Sequence, residues 1–176
     1  MTDDQLVEYF NEHILYELLM LRYTHLNLQS AGQLLWNAMF AAFNVSARNL
    51  YNFLKNRERS NVRVVDYKDH YGKWKCGKPT KITGSLDMLH KQCLHLDRNR
   101  PKLSPDKINL ERIQIVFDWV QSNILTLVGH FDDGFQRRVA LERADIPADQ
   151  TLKIVTGPTG PSAPAAVSAT NHISIV

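Results

Sequence analysis

Leu26-Asn27-Leu28-Gln29-Ser30-Ala31-Gly32-Gln33-Leu34-Leu35-Trp36-Asn37-Ala38-Met39-Phe40-Ala41-Ala42-Phe43-Asn44-Val45-Ser46-Ala47-Arg48-Asn49 is the stretch on which the fold turns. From Leu26 to Ala47 it carries no charge, and Arg48 closes it. Gly32 is a natural break, and beyond it Leu35, Met39, Phe43, Leu50 and Leu54 recur at helical spacing, which predicts a long helix ending near Arg57. The run is long enough to cross a bilayer, but Asn27, Gln29, Ser30, Gln33, Asn37, Asn44 and Ser46 interrupt it, so it reads as a core helix and its approach, with no membrane partner. Asn44-Val45-Ser46 fits the glycosylation acceptor pattern, which has no consequence inside a cytosolic helix.

Arg48 is the charge that needs an account. Beside Leu34, Leu35, Phe40, Phe43, Val45, Leu50, Phe53 and Leu54, an arginine must find a carboxylate or open onto a site. Arg48 and Asn49 are therefore expected as a structural polar core, with Glu17 or Asp118 as the acid. The competing expectation brings His95 from a later helix to Arg48, which makes Arg48 and His95 the candidate catalytic pair.

Upstream of this stretch, Thr2-Asp3-Asp4-Gln5 forms a capping-box start, and Leu6, Phe10, Ile14, Leu18 and Leu21 continue at helical spacing. A first helix from about Asp3 to His25 follows, antiparallel to the second across a short turn. Downstream, Ser60 to Thr83 loses periodicity: Val62, Val64, Tyr67, Tyr71 and Trp74 are scattered among lysines, with Gly72, Gly77 and Pro79 as punctuation. This is a long loop with room for a short strand, and loops beyond about 12 to 15 residues are uncommon unless functional or mobile. Leu86, Leu89, Cys93, Leu94 and Leu96 indicate a third helix, stopped before Pro101. Ser104-Pro105 supplies a start for a fourth, carried by Ile108, Ile113, Phe117, Val120, Ile124 and Val128. A short basic helix after Asp132-Asp133-Gly134 extends to Arg143.

The expected architecture is thus all-α: a four-helix up-down bundle over residues 1–144, with the long loop between helices two and three. Residues 145–176, with Gly157-Pro158-Thr159-Gly160-Pro161 at their centre, bury too little apolar surface to offset ordering entropy and read as a disordered tail. Its last residues, Ser174-Ile175-Val176, fit a carboxylate-terminal peptide ligand of the strand-addition kind. A length of 176 residues and a hydrophobic fraction of 44% suit a single core.

Net charge is +3 but unevenly spread. Residues 1 to 22 hold five acids against Arg22, whereas Lys55 to Lys81 hold nine basic residues and three acids. Cys76 and Cys93 make no disulfide framework, and the acidic start lacks the basic region of a signal peptide, so a cytoplasmic protein is expected. His70, Cys76, His90, Cys93 and His95 raise the question of zinc. Without a CxxC or HxxxH pair, no metal and no cofactor is expected.

The helix segment Ala47-Arg48-Asn49-Leu50-Tyr51-Asn52-Phe53, followed later by Leu94-His95-Leu96-Asp97-Arg98, resembles a family of bacterial all-helical proteins of unassigned function, similar in architecture to HEPN-type four-helix domains. The resemblance covers roughly residues 30 to 130. Many such domains act as endoribonucleases or as parts of toxin–antitoxin and antiphage systems, so it implies RNA or a protein as partner in such a setting. Active HEPN ribonucleases separate an arginine and a histidine by four to six residues on one helix, where cation and imidazole share a phosphodiester. At those distances Arg48 meets Phe53, Leu54 and Lys55, so the catalytic pattern is absent. Arg63 and His70 match the spacing in the loop, a coincidence that composition alone is expected to produce.

The basic loop is the better functional lead. Arg63, Lys68, Lys73, Lys75 and Lys78, with Lys81, alternate with Tyr67, Tyr71 and Trp74, offering phosphate neutralisation and stacking surfaces together. Arg63, Lys68, Lys73, Trp74, Lys75 and Lys78 are the candidate nucleic-acid-binding residues. If the aromatics instead cap the bundle end, the lysines are only its wet side. The alternative function is a structural homodimer whose acidic first helix meets the basic loop of a second copy. No Gly-rich phosphate loop, nucleophile elbow or paired-carboxylate motif points to another enzyme class.

Overall fold

Thr2 begins the first helix as the sequence requires: its Oγ1 accepts from the Gln5 amide at 3.3 Å, and its own amide donates to Gln5 Oε1 at 3.0 Å. The computed structural model describes residues 1–57, 62–79, 82, 84–86 and 109–146. Among them the chain is all-α, with no strand. Helix α1 (Asp3–Tyr9) runs through a π turn (Phe10–Ile14) into α2 (Leu15–Leu28). In the π turn the Leu15 amide donates to the Phe10 carbonyl, five residues back. That wider step keeps Phe10 and Leu15 on one face, both fully buried, where a regular helix would have turned one of them outward.

Helix α3 (Gln33–Leu54) follows Gly32. Leu28 and Gln33 sit beside the turn, while Phe10 and Phe53 pack edge to face at 6.3 Å at the far end, so α2 and α3 are antiparallel. Met39, Phe40, Phe43, Ala47, Leu50, Phe53 and Leu54 are buried. Asn56 ends the helix at φ 54°, an αL residue of the kind that closes helices, and the Arg57 amide donates to the Asn52 carbonyl at 2.9 Å.

The loop that follows contains no short strand in its described residues. It holds a 3-10 turn (Val64–Tyr67) and the single-turn helix α4 (Lys68–Tyr71). Tyr67 is the reason: fully buried, it donates to the Leu6 carbonyl at 3.1 Å and lies between 5.6 and 6.0 Å from the rings of Phe10, Phe53, Phe131 and Phe135. This aromatic cluster closes one end of the helix pair.

Helix α5 (Leu110–Val128) buries Ile113, Val116, Val120, Ile124 and Leu127. Asn109 caps it by accepting from the Arg112 amide at 3.0 Å, and the start expected at Ser104-Pro105 lies outside the described residues. The third helix expected at Leu86 to Leu96 lies largely outside the described residues, as does the tail from residue 147. Helix α6 (Asp133–Gln136) and a 3-10 turn (Leu141–Ala144) replace the continuous basic helix expected to Arg143. This segment folds back over α1 and α2. Asn11 donates to the Arg138 carbonyl and accepts from the Ala140 amide, and Arg22 reaches the Ala144 carbonyl at 2.8 Å.

Candidate functional site

Arg48 and Asn49 do not form a polar core. Both are exposed. Leu34, Ala38, Ala41, Val45 and Arg48, at alternating steps of four and three, are all exposed and share the outward stripe of α3, so the uncharged run supplies both a buried and an exposed face. Glu17 accepts from Asn49 Nδ2 at 2.7 Å, and Asp118 accepts from Gln114 Nε2 at 2.8 Å. His95 lies outside the described residues.

In the basic loop the lysines and the aromatics part company. Lys68, Lys73, Lys75 and Lys78 are exposed. Trp74 is only 8% exposed, and its Nε1 donates to Thr126 Oγ1 at 3.3 Å. The Gly77 amide donates to Asn123 Oδ1 at 2.7 Å, and a Cβ on Gly77 would stand 3.2 Å from that same oxygen. The loop is therefore pinned to α5 through Trp74 and Gly77, with its lysines outward. Arg63 is half-buried and bound to Asp66, its amide donating to Oδ2 at 2.7 Å and its guanidinium 3.8 Å from Oδ1. Of the aromatics only Tyr71 keeps partial exposure, so the stacking platform expected from the sequence is folded inward.

Helix α3 ends beside this ridge. Arg57 lies 5.0 Å over the Tyr51 ring, Tyr51 lies 5.7 Å from Trp119, and Trp119 backs onto Gly77. Burial pushes the Cys76 thiol up, opposed by the nearby Lys55 ammonium, which keeps this sulfur a poor nucleophile.

On the other side of Arg57 is a cleft of about 240 Å3. Tyr9, His13 and Glu17 line one wall, Asn49, Asn52 and Arg57 the other, over a floor of Ile14, Leu50 and Phe53. The π turn shapes the first wall, since His13 belongs to it and packs its ring 4.5 Å from that of Tyr9. Burial and then the Glu17 charge hold the Tyr9 phenol above its usual value. The sequence offered a signal for this site in the polar pairs His13/Glu17 and Asn49/Asn52, spaced for one helix face each. Their meeting depends on the antiparallel register of α2 and α3.

His70 marks a third polar cluster, 2.9 Å from Asp132 and 3.4 Å from Asp3. Asp132 also caps α6, and the Phe135 amide, then His70, hold its carboxyl below the usual range. Both acids are exposed, and the arrangement ties α1 to α4 and α6. Among the described residues no three metal-ligating side chains gather, and no helix is long and apolar enough to cross a membrane. No protein-family model, no curated protein and no solved structure matches the chain.

Proposed function

We propose that this chain is a non-catalytic, HEPN-like helical domain that binds RNA through the exposed lysines of the 72–79 loop. One observation carries the reading: Lys73, Lys75 and Lys78 stand outward on a loop held by Trp74 to Thr126 and Gly77 to Asn123. A fixed cationic ridge neutralises phosphates without ordering a floppy chain first. With Trp74 and Tyr67 turned inward, the ridge contributes charge and little stacking, so its affinity depends steeply on salt and weakly on sequence. Electrophoretic mobility shifts with single-stranded RNA at low and high salt test this. Replacing Lys73, Lys75 and Lys78 by alanine is expected to lower the slope of log K against log salt by about 2, from about 0.7 per phosphate contact on single strands. An unchanged slope sinks the reading.

A second reading, self-association, draws on the outward stripe of α3. Leu34 is 86% and Val45 44% exposed, with Ala38 and Ala41 between them, and the stripe carries its one charge, Arg48, at its C-terminal end. The electrostatic pairing expected between copies has less to work with. Asp4 and Glu12 of the first helix already meet Arg138 and Arg143 of the same chain. An apolar dimer would survive high salt in sedimentation and dissociate on Val45→Glu. A monomer at all salt concentrations ends this reading.

A further inference from the structure

We infer that the cleft between the π turn and the end of α3 receives one unpaired guanine base, with Arg57 placed for its phosphate. The proposal deepens the RNA-binding reading and rests on it for the polymer, but the cleft has its own chemistry. Its volume of about 240 Å3 lies below the roughly 300 Å3 at which drug-sized pockets begin, which suits a single base and sugar better than a larger ligand. Its polar groups are set for a flat, donor-bearing ligand. Glu17 is the acid on the wall, half-buried, and its Oε1 accepts from the Asn49 side-chain amide at 2.7 Å, which restrains the carboxylate.

An ionised carboxylate only accepts hydrogen bonds. Guanine presents two adjacent donors, the ring N1–H and the exocyclic amine, and so meets both oxygens of a carboxylate. Adenine and cytosine set an unprotonated ring nitrogen next to their amine, which would face a carboxylate lone pair. Uracil flanks its single N–H with two carbonyls. The carboxylate therefore discriminates by repulsion as well as attraction.

The remaining side chains supply what such a ligand still needs. Tyr9 and His13 form an adjoining pair of rings, the kind of surface on which splayed-out bases stack. Arg57, exposed, lines the cleft just past the αL residue Asn56 and rests 5.0 Å over the Tyr51 ring. From there it stands between the cleft and the Tyr51, Trp119 and Gly77 succession that leads to the lysine ridge. A strand whose phosphates run along the ridge reaches Arg57 and then the cleft, so the ridge supplies affinity and the cleft supplies choice of base.

Calorimetric titration of the full chain with GMP, AMP, CMP and UMP, beside mobility shifts with single-stranded RNA, tests the assignment. The expected result is saturable GMP binding, at least tenfold tighter than the other three. Glu17→Gln, which keeps the shape and the Asn49 contact, is expected to erase that preference. Arg57→Lys is expected to weaken all four nucleotides together. The Lys73, Lys75 and Lys78 alanine variant should keep GMP binding while losing RNA. RNA binding without saturable GMP binding, or GMP binding indifferent to Glu17→Gln in a variant of unchanged thermal midpoint, overturns the cleft and leaves the ridge standing. GMP binding without RNA binding supports the cleft and removes the RNA reading.

Discussion

His25 shows how one side chain carries a pH dependence into the fold. Its ring stacks on Phe117 at 3.9 Å and 6°, with Nε2 2.9 Å from Gln114 Oε1. Burial holds its pKa below the ordinary 6.5, against smaller upward pulls from Gln114 and Asp118. A histidine with a lowered folded pKa favours the fold when neutral. This contribution is complete above pH 6.5 and is lost as pH falls through the lower folded value. His25→Phe, which preserves the stack, is expected to flatten the fall in thermal midpoint between about pH 7 and pH 5. A slope equal to that of wild type would assign the acid sensitivity elsewhere. Arg48 shows the opposite lesson at this scale. Its neighbours in sequence are apolar, but burial in a helix follows angle, and Arg48 shares its angle with Leu34 and Val45, which are themselves exposed. The uncharged run from Leu26 to Ala47 singles out Arg48 along the chain, but its surroundings depend on helix angle.

Among the elements, the long helices were legible and their local adjustments were not. The Thr2 capping box, the Gly32 break and the stripe from Met39 to Leu54 are local patterns, and each appears in the structure. The π turn has no such signature, because Leu6, Phe10, Ile14, Leu18 and Leu21 also fit an unbroken helix. Only the burial of both Phe10 and Leu15 reveals the extra residue in the turn. The cleft went unread for the same reason, since one wall needs the π turn and the other comes from α3 more than thirty residues later. In the loop, lysines and aromatics alternate in sequence, but Tyr67 and Trp74 had apolar surface to cover and Lys73 and Lys75 did not. Asn123 is the hinge of that separation. Asn123→Ala leaves the Gly77 amide without its acceptor and, because Gly77 is exposed to water, is expected to cost about 0.5 to 1.5 kcal/mol in chemical denaturation. It should also speed amide exchange at Gly77 and weaken RNA binding without altering any lysine. Unchanged exchange at Gly77 would mean that Trp74 alone holds the loop.

Across the whole molecule, the segment from Phe131 to Asp145 acts as a strap over the first helices. Its ion pairs, Asp4 with Arg138 and Glu12 with Arg143, are exposed and each worth about 0 to 1 kcal/mol. The two backbone hydrogen bonds of Asn11 are less dependent on salt and fix the strap's register. Asn11→Ala is expected to accelerate hydrogen exchange at Ala140 selectively, leaving the amides of α3 protected. Equal protection of Ala140 in the variant would show that Arg22, through Ala144 and Asp145, suffices. The strap also bears on how the protein is made. Asn11 waits 129 residues for the amide of Ala140, and Tyr67 must be in place before Leu6 has its hydroxyl partner. At translation rates of about 5 to 20 residues per second, on the order of ten seconds separate the synthesis of Asn11 from that of Ala140. By then Phe53 and Tyr67 already lie against Phe10, so the apolar side of the first helices is covered early, and Asn11 is the side chain there whose partners, the Arg138 carbonyl and the Ala140 amide, are made last.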